Sequence, residues 1–279
     1  MGKTELPGVA LISGSGSGIG RATALAFAEA GCTRFALLDL NEEGLSTTKK
    51  LIEEAAVGSN SSLKIHTYKC DVSNPDSITR AYADAKETFS RLDYAVHCAG
   101  IILFGRSTDY SVEDFDRQNS VNYRGLWLCS REALRTMSTQ SLDCDAYPEA
   151  QIPPTRAQRG SIVNISSGLA LVSQSNCPAY CGAKAGVLAV TRSDGIDYAS
   201  ERIRVNAVLP GIVDSPMTNP DPGTRKWLED NAVKNTPMRR FGLPEEIADV
   251  CVFLASNKAS FVTGAGWCAD GGFVAGMAY

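Results

Sequence analysis

Apolar positions along this chain follow two alternating rhythms, short runs and longer stretches with a period near that of a helix turn. The runs at Val9–Ile12, Phe35–Leu38, Leu63–Cys70, Asp93–Cys98, Ile162–Ile165 and Ile203–Leu209 predict strands, and a last strand passes through Trp267 and Cys268 to Asp270-Gly271-Gly272. Helical periodicity falls between them, over about Arg21–Ala30 (closed by Gly31), Glu42–Ala56, Ser77–Phe89, Val112–Met137, Pro178–Ala199 and Pro244–Ala255. Gly58 to Asn60 punctuates the passage from the second helix to the third strand.

Strands alternating with helices predict a parallel sheet with right-handed crossovers, whose ligands collect at the carboxyl ends of the strands. Gly14, Asp39, Asp71, Ala99 and Ser167 all fall at that edge. The expected fold is α/β, a Rossmann-like doubly wound parallel sheet in three layers with about seven strands, forming a single domain over residues 1–279. Two stretches break the rhythm. Residues 138–160 carry prolines and polar residues without periodicity, and read as an exposed loop, an idle insertion or else a contact with substrate or a neighbouring subunit. Residues 212–240 hold Pro216, Pro220, Pro222 and Gly223 ahead of a short helix around Trp227, the pattern of a mobile flap over an active-site edge.

Composition narrows the classes. Hydrophobic residues make up 44% and charged residues 21% of 279, enough for a sizeable core. A net charge of -4 without a Lys/Arg cluster argues against a nucleic-acid surface. No apolar run is long enough to span a bilayer, and the amino terminus reads as a strand entering a loop rather than a signal peptide, so a soluble cytoplasmic protein is expected. The nine cysteines are odd in number and scattered, which predicts reduced thiols. His66 and His97 lie in no ligand-spaced cluster, so no metal site is expected.

Two stretches carry chemistry. The first strand runs into Ser13-Gly14-Ser15-Gly16-Ser17-Gly18-Ile19-Gly20 and then a helix, the context in which glycines let backbone N–H groups approach a pyrophosphate. Asp39, at the end of the second strand, is placed to accept hydrogen bonds from an adenosine ribose diol and to repel a 2′-phosphate; neither Leu40 nor Asn41 supplies a compensating cation. NAD rather than NADP is therefore the expected cofactor. The other stretch is Gly160–Gly186. Its strand stops at Ser166-Ser167, and Pro178 opens a helix on which Tyr180 and Lys184 lie one turn apart on one face. Alone, that spacing describes an ordinary amphipathic helix. At a carboxyl sheet edge beside a nucleotide loop it is a candidate acid/base site, with the ammonium favouring the phenolate and the Ser167 hydroxyl aimed at the same space.

These residues resemble the short-chain dehydrogenase/reductase family over nearly the whole chain. Its TGxxxGIG motif appears with Ser13 for Thr, and its NNAG motif is altered to His97-Cys98-Ala99-Gly100. The resemblance implies a catalytic tetrad of Asn122, Ser167, Tyr180 and Lys184. Cofactor contacts are implied at Gly14, Ser17, Gly18, Ile19, Gly20, Asp39, Leu40, Asp71, Val72, Ala99, Gly100, Tyr180, Lys184, Pro210, Gly211, Val213 and Ser215. It further implies reversible hydride transfer between a nicotinamide and a secondary alcohol or ketone. In that reaction Tyr180 is the acid/base, Lys184 lowers its pKa and binds the ribose, Ser167 holds the substrate oxygen, and Asn122 holds a relay water. A homo-oligomer, tetramer or dimer, is expected from the same source. Phe104, Leu169, Leu171, Val172 and Trp227 suggest a moderately hydrophobic small-molecule substrate; secondary metabolism or lipid, steroid or polyol oxidation would each fit. The alternative functions are a non-redox cyclase, isomerase or dehydratase on this fold, or a dinucleotide sensor.

Overall fold

A computed structural model describes residues 5–56 and 63–276; the expected punctuation at Gly58 to Asn60 lies outside the described residues. In chain order come β1 (Val9–Ser13), α1 (Gly18–Glu29), β2 (Arg34–Asp39), α2 (Glu42–Ala55), β3 (Lys64–Lys69), α3 (Pro75–Phe89) and β4 (Tyr94–His97). They are followed by α4 (Val112–Asn119), a π-helical turn (Ser120–Gly125), α5 (Leu126–Met137), α6 (Asp143–Ala146), β5 (Gly160–Ile165), α7 (Pro178–Asp197), β6 (Ile203–Pro210), α8 (Pro222–Asn231), α9 (Pro244–Ala255) and β7 (Gly266–Ala269).

All seven strands are parallel, in the order β3-β2-β1-β4-β5-β6-β7. The order reverses between β1 and β4, which opens a crevice at their carboxyl ends. Strand composition explains the layering. In β1, Ala10 and Ile12 join a core with Phe27, Leu45 and Leu254 from α1, α2 and α9. Val9 and Leu11 point the other way, to Ile78, Leu128 and Leu134 from α3 and α5. A strand buried on both faces needs a continuous apolar run, and VALIS is one. Local signals set the helix starts: Asn41 accepts from the Gly44 N–H, Asn74 from the Asp76 N–H and Ser111 from the Asp114 N–H. No helix among the described residues is long and apolar enough to cross a membrane.

Two expectations need correction. The single helix predicted over Val112–Met137 is interrupted by the π turn. There Asn122 accepts from the Ile101 N–H at 2.9 Å and donates to the Ile101 carbonyl at 2.7 Å, and Gly125 passes so close to Val72 that a Cβ would lie 2.3 Å from its carbonyl oxygen. These bonds to a neighbouring segment hold the widened turn, a common use of π turns at functional sites.

The second correction concerns residues 138–160, which are neither a bare exposed loop nor idle. Tyr147 is buried, donates to Asp93 Oδ2 at 2.7 Å, and has the guanidiniums of Arg34 and Arg91 over its ring at 4.8 and 5.0 Å. Buried Asp143 accepts from the Gln158 N–H and from Asn257 Nδ2, while Gln158 binds the Ala255 carbonyl and Arg204. Arg34, Asp93 and Arg204 mark the amino ends of β2, β4 and β6. The segment is thus a clasp across the sheet edge opposite the crevice.

Candidate active site

The crevice begins with the glycine loop. Gly14 and Gly18 adopt φ of 69° and 50°; a Cβ on Gly14 would meet the Ala99 nitrogen at 2.7 Å, and one on Gly20 the Gly14 oxygen at 2.1 Å. Only glycine lets the loop lie this close to the end of β4 and to its own helix. Helix α1 starts with no side-chain cap and no acidic residue in its first turn, so its N-terminal N–H groups are available to an anion. Beyond the loop, Asp39 accepts from the Gly16 N–H at 2.8 Å and the Asn41 N–H at 2.9 Å. Arg21 is tied to the Gly16 carbonyl and, at 3.0 Å, to Thr48.

These features wall a cavity of ≈ 320 Å³. Gly14, Ser17, Gly18, Ile19, Gly20, Asp39, Leu40, Asp71, Val72, Ala99, Gly100 and Ser215 all line it. A second cavity of ≈ 680 Å³ shares Ile19, Cys98, Gly100, Ser215 and Met217 with the first, and its wall holds Ser167, Tyr180, Lys184, Pro210, Gly211 and Val213. A cradle for pyrophosphate, a carboxylate toward one end and an acid/base cluster toward the other fit an extended dinucleotide.

Local structure explains the division of labour between the paired serines. Ser166 is buried and donates to the Lys184 carbonyl at 2.9 Å, fastening β5 to α7, whereas Ser167 Oγ accepts from the Leu169 N–H at 3.1 Å. Tyr180 and Lys184 are buried on the facing turns of α7. Lys184 Nζ donates to the Ile165 carbonyl at 2.9 Å and sits 5.6 Å from the Tyr180 ring centroid. Burial pushes the Tyr180 phenol up to about 12, opposed by Ser167, and lowers the Lys184 ammonium to about 8. In the chain by itself desolvation sets the direction for the phenol, and the Lys184 ammonium is turned to the Ile165 carbonyl. Asn122 lines neither cavity; its amide braces Ile101, and Gly100 lies between it and Lys184, within 3.2 Å of the one and 3.7 Å of the other for a Cβ on that glycine.

A buried hydrogen-bond chain supports this edge. His97 and Asn164 are paired in the register of β4 and β5, and His97 Nδ1 lies 2.8 Å from Asn164 Oδ1. Asn164 Nδ2 donates to Thr191 on α7, so its Oδ1 faces the ring, His97 donates from Nδ1, and Nε2 accepts from Tyr82 of α3 at 3.0 Å. Burial lowers the His97 pKa to about 4. The chain thus replaces the expected Asn-Asn pair with a histidine-centred brace.

The chain matches the family of short chain dehydrogenases over residues 8–226. It belongs to the short-chain dehydrogenase/reductase family. It is 33% identical to a short-chain dehydrogenase of Penicillium roqueforti over 270 residues, covering 96% of each chain. It is 34% identical to a cis-4-hydroxycyclohexanecarboxylate dehydrogenase of Sinomonas cyclohexanicum, covering 99% of this chain and 100% of that one. Levodione reductase has a similar structure, with a TM-score of 0.84 at 30% identity over 99% of this chain and 100% of that one. Membership makes this an oxidoreductase fold that uses a nicotinamide cofactor, NAD or NADP.

The sequence missed part of the larger cavity. Ile102 and Phe273 line it unforeseen, beside the expected Phe104, Leu169 and Trp227 and with Met217 and Leu228 of the expected flap, whereas Leu171 and Val172 are solvent-exposed and outside the wall. Phe273 reaches the site from beyond β7, its ring 3.0 Å from where a Cβ on Gly168 would sit. Only the glycine after Ser167 hinted at such a neighbour.

Proposed function

We propose that this protein transfers a hydride between NAD and the carbinol or carbonyl carbon of a moderately hydrophobic secondary alcohol or ketone. The observation that carries the reading is the convergence of Ser167, Tyr180 and Lys184 on one cavity continuous with the glycine cradle. The nicotinamide, when bound, supplies the hydride chemistry. Tyr180 Oη gives a proton to the carbonyl oxygen or removes it from the alcohol, and the Ser167 hydroxyl donates to that oxygen as charge develops. Lys184 holds the nicotinamide ribose, and Asn122 keeps the Gly100–Ile101 backbone in place against it. A phenol pushed up to about 12 must be brought toward neutrality as the site fills, a task for Ser167 and for a Lys184 recruited from the Ile165 carbonyl.

Support for NAD comes from Asp39 on the cavity wall, with Arg21, the neighbouring cation, committed to Gly16 and Thr48. The relatives' names point to ring-bearing substrates only in part, through cis-4-hydroxycyclohexanecarboxylate. A homo-oligomer, dimer or tetramer, is supported by the exposed Val112, Phe115 and Trp127 of α4 and α5, and light scattering tests it.

The decisive experiment follows reduced-nicotinamide absorbance with cyclic and aromatic secondary alcohols. Turnover with NAD is expected to fall about 10²- to 10⁴-fold in Tyr180→Phe, which keeps the buried ring. Undiminished turnover in that variant refutes the assignment of the acid/base.

A further inference from the structure

Among the described residues, Lys184 is the cation on the wall of the larger cavity, and it is already bonded within the chain. Lys184 Nζ donates to the Ile165 carbonyl at 2.9 Å. Arg225, on α8, is paired with Asp214 at 2.8 Å and Glu229 at 3.1 Å. The N-terminus of α8 faces the cavity through Asp221, Gly223 and Thr224, and is capped by the chain's own carboxylate: Asp221 Oδ1 accepts from the Thr224 N–H at 2.9 Å and Oδ2 from its hydroxyl at 2.7 Å. Arg106 is exposed on the loop that carries Phe104 and is not part of the wall. Elsewhere the wall is apolar or carries neutral amides and hydroxyls. Apart from Lys184, the charge a ligand meets there is the Asp221 carboxylate.

We infer that this site selects uncharged substrates and discriminates against anionic ones, with Asp221 as the residue that enforces the discrimination. The inference rests on the oxidoreductase reading for its location and deepens it by naming the substrate class. An anion entering would lose hydration with no free cation to replace it and would face a like charge. A neutral ketone or alcohol pays neither cost, and its distal hydroxyl can donate to Asp221 or to Gln174 and Asn176 on the opposite wall.

Three probes share one ring and differ only in charge and polarity: 4-methylcyclohexanol, 4-(hydroxymethyl)cyclohexanol and 4-hydroxycyclohexanecarboxylate. Binding is read by quenching of Trp227, which lines the cavity, with Trp227→Phe as the control, and turnover is read separately with NAD and NADP. Binding and kcat/KM for the carboxylate are expected at least about tenfold below those for the hydroxymethyl compound. Asp221→Asn, which retains a capping side chain, is expected to narrow that gap about threefold or more, and Leu228→Lys, which adds a cation to the wall, to narrow it further. A carboxylate that binds as tightly as the neutral alcohols overturns the inference. So does a gap that neither variant moves, or a failure of both neutral alcohols to bind. Neutral alcohols that bind with the predicted charge preference but are never turned over would refute the oxidoreductase reading and leave the charge selection standing.

Discussion

At the scale of single residues, environment decides what each ionisable group does. His97 shows this with a measurable consequence. Its folded pKa of about 4 lies below the ordinary value of 6.5, so the unfolded chain binds the extra proton between those two values. The brace is therefore fully stabilising above pH 6.5, and its contribution falls as pH drops toward 4, by about 3 kcal/mol in all. Urea midpoints measured across that window are expected to fall with pH in the native protein and to follow a flatter curve in His97→Asn. An equal slope in both would place the titration elsewhere. The tyrosine and lysine of the site were legible as a pair from their spacing, but not their protonation: Tyr180 is held up by burial, and only the folded chain shows Lys184 turned away to Ile165.

Among the elements, the clasp of residues 138–160 holds the amino ends of the strands together while the opposite edge carries the chemistry. Its anchor is Tyr147, wedged between two arginines and bonded to Asp93. Tyr147→Ala is expected to cost about 3–5 kcal/mol in chemical unfolding, the range for losing a buried aromatic side chain, with kcat/KM unchanged at permissive temperature. Tyr147→Phe, which removes only the hydroxyl, is expected to cost about 1 kcal/mol. A substitution that altered kcat/KM as much as stability would instead tie the clasp to the site. No periodicity marks this segment, because its stability comes from side chains reaching Asp93, Asn257 and Ala255, far away in sequence. The π turn was hidden for a related reason: its helix reads as continuous, and the bonds that widen it go to Ile101.

For the molecule as a whole, strand order 3-2-1-4-5-6-7 puts the glycine loop, Asp39 and the end of β5 around one crevice. A ligand that binds only the folded chain stabilises it by mass action. NAD at about 100 times its Kd is expected to add about 2.7 kcal/mol, or about 5 °C in Tm for a chain of this size. NADP at equal concentration is expected to give a smaller shift, and Asp39→Ala to shrink the NAD shift while enlarging that of NADP. Equal shifts in the unmodified protein would remove Asp39 as the discriminating group.

What this sequence determined by itself is what local chemistry encodes: doubly buried strands such as VALIS, a glycine loop between strand and helix, and Tyr180 one turn from Lys184. Each depends on neighbours within a few positions, so pattern and spacing suffice. Tertiary structure decided what depends on distant partners. It brought Phe273 and Ile102 to the cavity wall, turned residues 138–160 into a clasp, and made His97 the centre of a brace from α3 to α7. Among the described residues it also left the cavity wall without a free cation, because Lys184 and the start of α8 find their partners only once the chain is folded.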